Sequence, residues 1–262
     1  MSEYIDGMPA SDYHAHPGVG STTLKTLAKH PPAVYRHRMD HPEHKAAFDI
    51  GTAAHSLILE GDTSGLSIVN ADDWRSKAAR EEREAAYAEG AVPLLAKEFA
   101  VVEAMRDAVM AHPHASRLLT GHVAERSYFT EIGGTEAKCR ADAMHEGIGA
   151  VVDLKTTADA DPAEFGRTAY GFGYYQQVPW YQDVIKAVTG FAPAFYFVLV
   201  EKTAPHLVSV VELTPEFVDY GREANARALS IYQQCQESGE WPGYTEPALV
   251  EIPRWARFKE DS

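Results

Sequence analysis

The chain has 262 residues, with 38 acidic against 24 basic side chains and a formal charge of −14. That length can bury one full core at an ordinary apolar content, so a single domain over residues 1–262 is expected. With two cysteines, Cys139 and Cys235, it excludes a disulfide framework, an all-cysteine zinc site and a four-cysteine iron–sulfur cluster. The longest apolar run, Phe195 to Val200, is far short of the roughly 20 residues needed to span a bilayer. The opening MSEYIDGMPASDYHAHPG lacks the basic and apolar regions of a secretory signal. A cytoplasmic protein with no membrane partner is the expectation.

Such an acidic chain is a poor global match to a phosphate backbone, but binding is local. Between Lys25 and Lys45, the cations Lys25, Lys29, Arg36, Arg38 and Lys45 outnumber Asp40 and Glu43, with His30, His37, His41 and His44 alongside. Taken alone, such a run is a solvated helical face.

In chain order, Ser21 is expected to cap a helix over 22–27 that Pro31-Pro32 ends, with a second short helix over 34–39. Gly51-Thr52 opens an apolar run, Ala53 to Leu59, expected as a largely buried helix. Residues 61–75 read as irregular, 77–87 as a helix closed by Gly90, and 94–110 as a longer helix broken by His112-Pro113. The pattern then changes. Residues 125–132 and 136–144 alternate polar and apolar around Gly133-Gly134, a hairpin signal, and 148–154 is a third, β-branched strand. Helices are expected over 162–170 and 174–188, strands over 194–201 and 207–213 about a turn at Ala204-Pro205, and a helix over 215–236 before an irregular tail. This order gives an α/β (α+β) fold with a mixed central sheet flanked by helices, not a doubly wound one. Within it, a mainly helical part (1–115) precedes a sheet core (120–240).

The residues that carry chemistry centre on Val151-Val152-Asp153-Leu154-Lys155. On a strand, Asp153 and Lys155 share one face while Val152 and Leu154 take the other. Asp142 lies on the preceding strand, and a short turn at Glu146-Gly147 can bring it beside Asp153, within reach of one hard cation such as Mg²⁺. A lysine beside two carboxylates can stabilise charge developing on a phosphate or orient a water. From spacing alone, a strand-end salt bridge between Asp153 and Lys155, with Asp142 a solvated loop residue, is the better account. His55, in the apolar run, reads either as a hydrogen-bonded core histidine or as a nitrogen ligand. Gln177 and Tyr181, four apart on a helix, share a face. Pro179 between them is expected to kink that helix.

The order His55, Asp142, Asp153-x-Lys155, Gln177-xxx-Tyr181 resembles the RecB-like branch of the PD-(D/E)XK nuclease superfamily, and within it the RecE-type exonuclease (exodeoxyribonuclease VIII) family of phages and prophages. Tyr13 to Lys25, Gly51 to Glu60 and Trp74 to Ala78 add to the likeness, which covers nearly the whole chain. The resemblance implies a restriction-endonuclease-like core and a Mg²⁺-dependent exodeoxyribonuclease, with Mn²⁺ able to substitute. It would degrade linear double-stranded DNA 5′ to 3′ through a metal-activated water, leaving 3′ single strands for recombination. It implies His55, Asp142 and Asp153 as metal ligands and Lys155 acting on the water or the phosphate. Gln177 and Tyr181 would position the lysine or the DNA, and Glu60 and Glu125 are accessory acids. Lys25, Lys29, Arg36 and Arg38 then become candidates for tracking the backbone. Implied partners are double-stranded DNA ends, a single-strand annealing protein, and other copies of the chain in a ring-like tetramer. The chain begins close to the nuclease region and so reads as a minimal catalytic unit. An endonuclease or single-strand nuclease of the same fold, and a catalytically silent DNA-binding module, are the alternatives.

Overall fold

The computed structural model describes residues 2–41 and 49–253; Glu43, His44 and Lys45 of the basic run lie outside them. Its frame is a sheet in the order β1(Glu3–Ile5), β4(Val123–Ile132), β5(Thr135–His145), β6(Ala150–Thr157), β7(Ala194–Glu201), β8(Val208–Val211). All neighbours are antiparallel except β6 and β7, which run parallel from Ala150–Ala194 to Thr157–Glu201. A parallel pair requires a crossover. Here it is supplied by α8(Pro162–Gly171) and α9(Tyr174–Thr189).

Both faces of the sheet are buried, so inward-facing residues of both parities are apolar. On one face Val151, Phe195, Phe197 and Leu199 pack with α2(Ser21–Lys29), α9 and α10(Pro215–Ser238) through Leu24, Leu27, Val178, Val184, Ile185 and Ala228. On the other, Val152, Leu154, Val198 and Val200 pack with α4(Asp49–His55), α6(Ala96–Ala111) and α7(Pro113–Leu119) through Ala53, Ala54, Val102, Met105 and Leu118. Fully burying each large aliphatic or aromatic side chain of this kind stabilises by about 1.5–3 kcal/mol. Asp153 and Lys155 therefore share a face with core residues, roofed by a helix rather than open to solvent.

Several expectations need correction. Leu66–Val69 within the stretch expected to be irregular forms β2, which pairs in parallel with β3(Val92–Leu95) as a separate two-stranded sheet. Leu94 and Leu95 thus end a strand, and the helix begins at Ala96. Ser21 is the first helical residue of α2 and Gly20 the cap. His112-Pro113 ends α6 but also starts α7, because the His112 ring accepts a hydrogen bond from the Ala115 amide at 3.1 Å. The third strand starts at Ala150 and runs on through Lys155, and β8 is shorter than expected. Two short elements were not foreseen, β1 and α1(Ala10–Ala15). The remaining helices, α3(Pro32–Asp40) and α5(Lys77–Ala88), fall where expected. Among the described residues, no helix is long and apolar enough to cross a membrane.

Helix α9 holds a proline in its interior, and the structure shows how it is accommodated. Pro179 has no N–H to offer the carbonyl four residues back, that of Tyr175. On α10, Gly221 packs directly over that carbonyl: a Cβ placed on Gly221 would sit 1.8 Å from it. Beside this contact, the buried Gln176 and Asn225 exchange hydrogen bonds of 3.1 and 2.8 Å. The Trp180 indole N–H donates to the Lys138 carbonyl at 3.0 Å, tying α9 to β5.

Candidate active site

The site forms where β5 and β6 part. They pair only at His145–Ala150, Met144–Val151 and Ala143–Val152. Beyond that, side chains take the backbone groups of Leu154: its N–H donates to Asp142 Oδ2 at 3.1 Å, and its carbonyl lies 2.7 Å from His55 Nε2. A carbonyl only accepts, so in the neutral ring Nε2 carries the proton and Nδ1 keeps its lone pair. Nδ1 faces Asp142 Oδ2 at 3.6 Å. This is how ligand histidines are usually fixed, with the second nitrogen donating to a backbone carbonyl. His55 is thus anchored by its Nε2 with Nδ1 turned toward Asp142. It stands at the junction of α4 with a π-helical turn, Ser56–Glu60. Such turns are rare and frequent at functional sites.

Glu125 completes the cluster. It stands across from Asp142, between the Ala124–Ala143 and Arg126–Ala141 pairs, with φ at +53° in mid-strand. A non-glycine residue there carries a strain of order 1–3 kcal/mol. One ligand atom from each of His55, Glu125 and Asp142 lies within 4.8 Å of the others. One imidazole and two carboxylates suit a divalent cation of the Mg²⁺ or Mn²⁺ kind, so these residues fit a metal. Burial, and then the Asp153 carboxylate, push the Asp142 pKa up to about 7. Arg140 donates to Glu125 at 2.5 Å.

Asp153, expected as a third ligand, lies close enough to Asp142 for its charge to act on it and also faces Lys155. Only 1% exposed, it pairs with Lys155 Nζ at 2.5 Å and accepts from Gln177 Nε2. Burial alone would lower the Lys155 pKa; Asp153 and Asp142 overturn that and raise it. Gln177 also accepts from Lys25 Nζ at 3.3 Å. Lys25, a solvated-face residue by charge count alone and a backbone-tracking candidate by resemblance, therefore lies at the site. Burial first, and then the Lys155 charge, lower its pKa to about 8 against the pull of Asp153. Tyr174 lies against both lysines, its ring centroid 4.8 Å from Lys155 Nζ and 5.3 Å from Lys25 Nζ.

Tyr181 lies one turn after Gln177 on α9, within reach of the Asp142 and Asp153 charges. It packs edge-on against Phe195, centroids 5.8 Å apart, and burial raises its phenol pKa. The aromatic beside the lysines is Tyr174, three residues before Gln177 on the same helical face, a spacing visible in the sequence. Of the other basic candidates, Lys29 is exposed, Arg36 pairs with Asp40, and Arg38 reaches the Thr26 hydroxyl at 3.5 Å. Glu60 lies near Glu125, and burial, followed by that charge, raises its pKa.

This pairing of a split strand edge, a carboxylate–imidazole cluster and an Asp-x-Lys arm accords with a family match. The profile described as "PDDEXK-like domain of unknown function (DUF3799)" matches residues 20–251. The chain belongs to this family. Its fold is that of PD-(D/E)XK nucleases, as the sequence resemblance implied. Among solved structures, a Eubacterium rectale protein named "Putative exonuclease" superposes at a TM-score of 0.68 with 13% identity, covering 97% of this chain and 98% of that one. A phage-related exonuclease from Haemophilus somnus 129PT shows 12% identity over 88% of this chain and 100% of its own, at a TM-score of 0.36. An alkaline exonuclease from Laribacter hongkongensis shows 13% identity over 72% and 98%, at 0.25. At this identity the first supports the PDDEXK-like fold alone, and the last two overlap too loosely to add to it. No curated protein matches the chain.

Proposed function

We propose that this protein is a divalent-metal-dependent deoxyribonuclease that degrades linear double-stranded DNA from its ends. The observation that carries the reading is the His55–Glu125–Asp142 cluster set beside the Asp153–Lys155 pair in a PD-(D/E)XK fold. A bound cation would supply charge neutralisation at the scissile phosphate. Lys155, kept as an ammonium by its carboxylate neighbours, donates to the phosphate oxygens as charge builds on them. Asp153 and Gln177 hold that lysine in place, and Tyr174 shields it from bulk water. Mg²⁺ as the ion, 5′-to-3′ polarity, 3′ strands passed to an annealing protein in recombination, a ring-like tetramer and a cytoplasmic location follow from the RecE-type resemblance.

The deciding experiment digests a linear duplex labelled at its 5′ end in one tube and at its 3′ end in another. A closed circle and an EDTA control run alongside. Early release of the 5′ label, with the circle intact and EDTA inhibitory, is the expected result. A cut circle would replace this reading with an endonuclease, and preference for single strands would replace its substrate. No cleavage with Mg²⁺ or Mn²⁺ would leave a silent binding module.

Lys25 belongs to the same reading as a phosphate contact beside Gln177 and Tyr174, with Lys29, Arg36 and Arg38 as further contacts to the DNA backbone. With a pKa near 8, the Lys25 ammonium loses its proton at mildly alkaline pH. A rise in KM is therefore expected above about pH 8. Lys25→Arg, which stays charged throughout, should move that rise to higher pH. An unchanged alkaline limb in the variant would take Lys25 out of phosphate binding.

A further inference from the structure

The turn between α8 and α9 carries an aromatic side chain that the core does not use. Phe172 is 67% exposed. Its ring nevertheless stacks on Tyr174, with centroids 5.7 Å apart and planes 22° from parallel. Tyr174 in turn lies against the Lys155 and Lys25 ammoniums and is backed by Phe165 at 6.1 Å and 23°. The residue between the two rings, Gly173, has φ +70°, and a Cβ on it would approach Lys25 Cγ to 3.0 Å. Glycine thus lets the chain reverse while the Lys25 stem passes alongside. The outcome is a solvent-facing aromatic surface, continuous through Tyr174 with two cations, on a chain whose net charge is −14. One ligand chemistry needs both parts: a nucleotide, with a flat base and an anionic phosphate. Base–aromatic stacking tolerates any sequence, because every base has a π-face.

We propose that Phe172 stacks a nucleobase adjoining the phosphate held at Lys25 and Lys155, so that the strand enters the site with that base parted from its neighbour. The proposal rests on the nuclease reading and specifies its substrate: strand termini that fray, in preference to continuous duplex. Phe172 is a binding residue here. It touches the base and leaves the chemistry to Lys155 and the metal cluster.

The first test uses the full chain in EDTA, so that nothing is cut, with duplexes carrying 2-aminopurine at successive terminal positions. Wild type should quench the fluorophore at one of these positions on binding, and Phe172→Ala should not. In Mg²⁺ or Mn²⁺, Phe172→Ala should raise KM about 5- to 150-fold with kcat nearly unchanged, and Phe172→Trp should restore it. An abasic site at the quenched position should cost wild type a similar factor and cost Phe172→Ala almost nothing more. Independent, multiplying losses, or equal quenching by both proteins, would overturn stacking while leaving the nuclease reading intact. Wild type that neither binds nor cuts any DNA would instead overturn that reading itself. Loss of self-association in Phe172→Ala with normal DNA kinetics would reassign the surface to a second copy of the chain.

Discussion

Asp142→Asn should fold normally, cut DNA about a thousandfold more slowly, and gain no thermal stability from Mg²⁺ or Mn²⁺. Asparagine keeps the shape of aspartate and an oxygen to accept the Leu154 N–H, so the local strand geometry survives. What disappears is one anionic oxygen of the cluster. Losing several kcal/mol of charge stabilisation at the phosphate corresponds to roughly three powers of ten in rate. For the parent, a cation at a hundred times its dissociation constant stabilises by about 2.7 kcal/mol, or roughly 5–10 °C in Tm for a chain of this size. Thermal melts over a Mg²⁺ and Mn²⁺ series, paired with single-turnover cleavage, read both effects. A variant that cuts at the parental rate, or shows the parental Tm shift, would remove Asp142 from the metal centre. Glu125→Gln is the informative companion: as a member of the cluster, it should blunt the metal-induced shift as well.

Gly221→Ala should destabilise the protein by about 3 kcal/mol or more, lowering Tm by roughly 6–12 °C. The added methyl would fall 1.8 Å from the Tyr175 carbonyl carbon's oxygen, a backbone atom that cannot swing away. To relieve it, α10 must lift from α9, which breaks the Gln176–Asn225 exchange and loosens the segment that carries Gln177. The companion substitution is Gly166→Ala on α8, where nothing lies within 4 Å of the new methyl. That change should stabilise by about 0.5–1 kcal/mol through helix propensity alone. If the two variants melt alike, close α9–α10 packing does not support the fold in the way described.

The hairpin β4–β5 was legible because its alternation is local and Gly133-Gly134 marks the reversal; β7 was legible for its unbroken β-branched and aromatic run. The pair β2–β3 was not. Each strand has four residues, one holds Pro93, and their parallel pairing spans all of α5, so no local period betrays it. At the site, His55, Asp142, Asp153, Lys155 and Gln177 were legible as residue types in a familiar order. Their contacts with one another were not. Where β5 leaves β6, and the positive φ of Glu125 that sets it in the cluster, have no sequence signature. Lys25 was legible as a candidate cation but not as a neighbour of Gln177: a charge count treats a helix as isolated, while Val19, bridged to Ala137 of β5, draws the start of α2 over the sheet.

The parallel alignment of β6 and β7 has a consequence for biosynthesis. Asp153 and Lys155 leave the ribosome before the chain that returns to shelter them, and β7 can dock beside β6 only after α8 and α9 have been made. Gln177 rides on that returning segment. The step that zips the sheet together therefore also delivers the amide that clasps Asp153. A nascent or prematurely terminated chain ending before residue 177 holds every acidic group of the centre but lacks the piece that locks its lysine arm. Assembly of the site is thereby linked to completion of the chain through β7.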